Sequence, residues 1–91
     1  MRRVRVLVSG DVQGVGYRYT MLMIAERAGV TGWVRNLRDG RVEAEVEGTD
    51  DQVDDVLAWM AGGPPGSRVG AATVSDQIAI GGSRFEVRRD G

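Results

Sequence analysis

The 91-residue chain contains no cysteine and no histidine. The first absence rules out disulfides, thiolate nucleophiles and sulfur metal sites. The second removes the side chain that most often acts as a base near neutral pH, and the commonest metal ligand. Any catalysis must work without both. Long apolar runs are also missing, and no stretch approaches the roughly 20 residues of a membrane-spanning helix. The segment from Met1 to Ser9 sets basic residues before apolar ones, but its apolar part is short and broken by Arg5, unlike a secretory leader. A soluble cytoplasmic protein without a membrane partner is expected. Charges nearly cancel, with 12 Lys+Arg against 13 Asp+Glu, and aromatic residues make up only 5%. Without net positive charge or clustered strand aromatics to stack bases, nucleic acid is not the expected partner. At this length the chain can build one core but not two, so residues 1–91 are read as a single domain, expected to act as a monomer.

What is present alternates. Val4, Val6 and Val8 interleave with Arg5, Leu7 and Ser9, a period of two rich in β-branched residues that predicts a strand. Met21, Ile24, Ala25 and Ala28 then recur at helical spacing over residues 18–28, and Gly29 can end that helix. A second strand is predicted from Val30 to Leu37 and a third from Arg41 to Glu47, joined at Asp39-Gly40. A two-residue turn would put Trp33, Arg35 and Leu37 on the face of Val42, Ala44 and Val46, whereas a three-residue turn would put Val34 and Asn36 there. The sequence leaves both open. Thr49-Asp50-Asp51-Gln52 reads as a capping box opening a second helix, with Val53, Val56, Leu57 and Met60 on its apolar face. The acidic cluster Asp50, Asp51, Asp54 and Asp55 fits a solvated helix start better than a metal site, since no Gly-turned calcium loop accompanies it. The run from Gly62 to Gly66 stops the helix. Val69 to Ile78 and Arg84 to Arg88 complete the set as strands. The order β-α-β-β-α-β with one short extra C-terminal strand predicts an α+β, ferredoxin-like βαββαβ sandwich: a mainly antiparallel sheet with two helices on one face.

The stretch Gly10-Asp11-Val12-Gln13-Gly14-Val15-Gly16-Tyr17-Arg18 links the first strand to the first helix. Its glycines permit positive φ, so successive N–H groups can turn around an anion, and Arg18 stands in the first helical turn, where unpaired N–H groups favour phosphate. The spacing alone favours a tight turn that needs glycine for geometry, with Arg18 a solvated charge. It lacks the Gly-Lys-Ser/Thr end of a P-loop and the acidic residue of a dinucleotide site. A right-handed crossover would make strands 1 and 2 parallel and bring Asn36, at the end of strand 2, beside this loop.

Two motifs add a resemblance. Gly10-x-Val12-Gln13-Gly14-Val15-x-Tyr17-Arg18 resembles the first signature of the acylphosphatase family, and Gly32-Trp33-Val34-Arg35-Asn36-x-x-x-Gly40-x-Val42, closing at Gly48, resembles its second. The resemblance implies that the backbone amides of Gln13, Gly14, Val15, Gly16, Tyr17 and Arg18, with the Arg18 guanidinium, bind phosphoryl oxygens, while Asn36 positions the attacking water. It implies hydrolysis of a small acyl phosphate to a carboxylate and inorganic phosphate, with no cofactor and no metal. That chemistry suits the residues, because a carboxylate leaving group with a pKa of roughly 4 departs without a general acid. The alternative is a non-catalytic module that uses the same cradle to bind an anion. Asp11 departs from the basic or neutral residue common at its position, and Tyr17 replaces a frequent phenylalanine.

Overall fold

Valine alternation places β1 at the centre of the molecule. The computed structural model describes residues 1–91, in the order β1 (Arg2–Asp11), α1 (Tyr17–Ala28), β2 (Thr31–Asn36), β3 (Val42–Gly48), α2 (Asp50–Gly62), β4 (Arg68–Gln77) and β5 (Phe85–Val87). The five strands form one sheet ordered β4-β1-β3-β2-β5. Pairings are antiparallel except between β2 and β5, which run parallel. Because β1 and β2 both run antiparallel to β3, they are parallel to each other and end at the same edge of the sheet, as the crossover argument requires. This is the expected ferredoxin-like sandwich.

The alternating strand residues Val4, Val6, Val8, Val34, Val42, Ala44 and Val46 are fully buried against Tyr17, Met21 and Ala25 of α1 and Val53, Val56 and Met60 of α2. Burying a valine- or methionine-sized side chain contributes about 1.5–3 kcal/mol relative to exposure, so this layer dominates the stability. No helix is long and apolar enough to cross a membrane.

The hairpin register is the three-residue alternative. Leu37 N–H donates to the Arg41 carbonyl at 2.8 Å, leaving Arg38, Asp39 and Gly40 as the turn. Asn36 therefore pairs with Val42, Val34 with Ala44 and Arg35 with Glu43. Asn36 thus shares the helix-covered face with the core valines, and Trp33 goes to the opposite face, where the guanidinium carbons of Arg35 and Arg88 lie 5.3 and 4.8 Å from its ring centroid.

On that opposite face the glutamates of β3 are interleaved with arginines of the neighbouring strands. Arg3 Nε lies 2.6 Å from Glu45 and its Nη1 3.3 Å from Glu47, while Glu43 is gripped by Arg5 and, at 2.7 Å, by Arg35. The Glu43 and Glu47 side chains are only 4% and 5% exposed. Desolvation pushes the Glu43 carboxyl up, but hydrogen bonds and charge from Arg5 and Arg35 outweigh it and hold the group below the usual range. Glu47 is held low foremost by the Ile80 N–H, against desolvation, with help from the Gly81 N–H and Arg3. In the unfolded chain both would titrate near about 4.3. Their folded values lie below that, so their stabilisation is complete above it and is lost as pH falls through the folded values, where the unfolded state binds more protons. Thermal melts should therefore give a nearly flat Tm from about pH 6 to 9, where no side chain with an ordinary pKa titrates, and a steep fall below about pH 4. A Tm that moved as much between pH 6 and 9 as below pH 4 would contradict this account.

Candidate functional site

The two helices begin differently. At α2 the Thr49 hydroxyl accepts from Gln52 N–H at 3.2 Å, and the Gln52 side chain accepts from Thr49 N–H at 2.9 Å, so the helix satisfies its own start. At α1 the capping position is Gly16, which has no side chain to offer, and the first turn carries no acidic residue. The backbone N–H groups of residues 14–19 donate to no acceptor within the chain. An uncapped helix start with its partial positive charge is a natural anion seat. Gly14 and Gly16 have φ of 74° and 76°, and a Cβ at either would meet nothing closer than 3.9 Å. Their backbone conformation, not space, requires glycine, and such turns direct successive N–H groups into a concavity.

Three residues hold this loop still. Val12 is fully buried. Gln13 Nε2 donates to the carbonyls of Leu37 at 2.7 Å and Arg41 at 2.9 Å, tying the loop to the residues that close the β2–β3 hairpin. The Tyr17 hydroxyl donates to the Met60 carbonyl at 2.8 Å, and its ring centroid lies 5.1 Å from that of Trp59, so the first turn of α1 is fixed to α2. Burial pushes the Tyr17 hydroxyl pKa far up. The extra oxygen that distinguishes Tyr17 from phenylalanine is therefore bonded inside the molecule.

Above the loop lies a pocket of about 160 Å³ lined by Val12, Gly14, Gly16, Tyr17, Arg18, Tyr19 and Asn36. The structure thus brings Gly14, Gly16, Tyr17, Arg18 and Asn36 together. Two other expected residues do not line it: the Gln13 side chain turns to the hairpin, and Val15 packs against the core. Asn36 is 9% exposed, yet its carboxamide bonds to no other group of the chain, and none of its polar atoms is sealed from solvent. It is one of the residues lining this pocket. Its backbone carbonyl accepts from Gly91 N–H at 2.8 Å.

Arg18 has two neighbours that the sequence did not reveal. Its Nη1 lies 3.3 Å from an Asp90 carboxylate oxygen, and its guanidinium carbon is 5.7 Å from the Tyr19 ring centroid. Asp90 arrives because the chain continues along β2 past β5: Val34 pairs with Val87, Arg88 N–H donates to Val34 O, and the end of the chain comes level with Asn36. A short final strand pairing parallel to β2 was the only signal that could have found it.

A family model for acylphosphatase matches residues 4–87. A protein of Rubrobacter xylanophilus named acylphosphatase is 54% identical over 88 residues, spanning 96% of this chain and 80% of that one. One of Methylococcus capsulatus with the same name is 50% identical over 91 residues, 99% of each. Among solved structures, the acylphosphatase from Bacillus subtilis superposes with a TM-score of 0.93 at 36% identity, over 97% of this chain and 99% of that one.

Proposed function

Because this chain belongs to the acylphosphatase family, we propose that it hydrolyses acyl phosphates by direct attack of water on phosphorus, with Arg18 and the loop amides holding the phosphoryl group and Asn36 holding the water. The observation that carries this reading is the unengaged Asn36 carboxamide, opening into the same pocket as Arg18 and an uncapped helix start. A phosphoryl group in that pocket would meet the backbone N–H groups of Gly14, Gly16, Tyr17 and Arg18 and a guanidinium fork, all of them donors. Phosphoryl transfer asks for little else, since charge gathers on the equatorial oxygens and positioned donors stabilise it without reorganising. The Asn36 carboxamide oxygen can accept a hydrogen bond from water, orienting a lone pair toward phosphorus. The P–O bond to the acyl oxygen breaks as the water oxygen bonds to phosphorus, the electron pair leaves on the carboxylate, and the water proton passes to phosphate.

Incubation with benzoyl phosphate in ¹⁸O-labelled water tests this. The expected result is release of benzoate and phosphate at a rate unchanged by EDTA, with the label in phosphate. Label in benzoate would mean attack at the acyl carbon and would overturn the mechanism. Phosphate binding without any release would leave an anion-binding module, and loss of turnover in EDTA restored by Mg²⁺ would overturn the metal-free reaction.

A further inference from the structure

An acyl phosphate carries its acyl carbon one bridging oxygen from phosphorus, so whatever holds the phosphoryl group also fixes where the acyl group emerges. Resting on the hydrolase reading above, we propose that Tyr19 and Asp90 form the acyl side of the site and select uncharged, apolar acyl groups, aromatic ones above all.

The two residues flank the same guanidinium. Tyr19 lines the pocket and is 62% exposed, with its ring against Arg18. A lone exposed tyrosine is ordinary on a protein surface. This one differs in being at once part of the pocket lining and in contact with the group that grips the phosphoryl oxygens. One helical turn on, Met23 is 59% exposed, so apolar surface continues along α1 away from the pocket. A planar acyl group leaving the phosphoryl seat on this side meets an aromatic face, where stacking adds to burial. Met23, unbranched and polarisable, can follow acyl groups of different length.

Asp90 is the second neighbour of the Arg18 guanidinium. Its carboxylate is 65% exposed and lies 3.3 Å from Arg18 Nη1. It occupies one of five guanidinium donors, leaving the others for phosphoryl oxygens. An acyl group bearing its own carboxylate would have to approach this fixed negative charge, and like charges at such range repel even near solvent. The selection is therefore double: a ring that favours apolar, planar acyl groups and a carboxylate that disfavours anionic ones.

The test compares kcat/KM for benzoyl, acetyl and succinyl phosphate on wild type, Tyr19→Ala, Tyr19→Phe and Asp90→Asn. Tyr19→Ala should lower the benzoyl-to-acetyl ratio about fivefold, mainly through the KM for benzoyl phosphate, and Tyr19→Phe should restore it. Asp90→Asn should raise the succinyl-to-acetyl ratio about threefold, and added salt should shrink that difference. A benzoyl-to-acetyl ratio unmoved by Tyr19→Ala, with both substrates falling in parallel, would make Tyr19 only a support for Arg18 and overturn the proposal. An unmoved succinyl-to-acetyl ratio in Asp90→Asn would overturn its electrostatic half. Failure of the wild type to hydrolyse any of the three overturns the hydrolase reading itself, a result distinct from either.

Discussion

Replacing Arg18 with lysine is expected to cost nearly as much activity as replacing it with alanine. A guanidinium presents a planar fork that binds two phosphoryl oxygens in one orientation, and a lysine ammonium offers a compact, strongly hydrated point charge on a flexible stem. The surroundings sharpen the difference. Arg18 touches the Asp90 carboxylate at 3.3 Å, and its guanidinium carbon lies 5.7 Å from the Tyr19 ring centroid, two contacts that constrain where its remaining donors point. An ammonium at this position has no plane to align, and Asp90 could capture it outright. Removing one preorganised donor from a charge-stabilising site typically costs about 3–4 kcal/mol, or a hundredfold to a thousandfold in rate. Both variants should fall in that range in kcat/KM and lose phosphate affinity alongside. A lysine variant that kept most of its kcat/KM would reduce Arg18 to a source of positive charge.

The regular elements were legible because apolar periodicity reports burial directly. Alternating valines placed β1 and β3, helical spacing placed both helices, and the Thr49 box fixed the start of α2 to the residue. The candidate site was legible in outline through the resemblance of the two motifs, because the glycine spacing alone favoured a plain tight turn. The hairpin register was not. Asp39-Gly40 suits either turn length, and the choice is made by contacts across the fold: Leu37 pairs with Arg41, and Gln13 then bonds both carbonyls from the neighbouring loop. That choice decides which way Asn36 faces. Burial of Glu43 and Glu47 was equally hidden, because alternation marks them as outward-facing, and only the sheet order reveals that arginines from β1 and β2 cover them. Asp90 lies some seventy residues from Arg18 and reaches it only through the parallel β2–β5 pairing. No local pattern encodes such a contact.

Asn36→Ala is expected to remove most turnover while leaving phosphate binding close to wild type. The two roles separate because they use different atoms. Inorganic phosphate, a product-like inhibitor, is held by the loop amides and Arg18, whereas the Asn36 carboxamide engages the water, whose orientation matters only on approach to the transition state. The substitution is also gentle on the fold. The side chain it removes bonds to nothing else in the chain, so no partner is left unsatisfied, and the backbone carbonyl keeps its bond from Gly91. Loss of one positioning hydrogen bond should cost on the order of 3 kcal/mol, about a hundredfold in kcat. The decisive measurement is the inhibition constant of inorganic phosphate on the same purified Asn36→Ala protein whose kcat is determined, with circular dichroism showing the fold intact. We predict a phosphate affinity within about twofold of wild type beside a kcat lowered about a hundredfold. Phosphate affinity falling in parallel with kcat would make Asn36 an anion ligand or a structural residue, and a near-normal kcat would remove it from the mechanism.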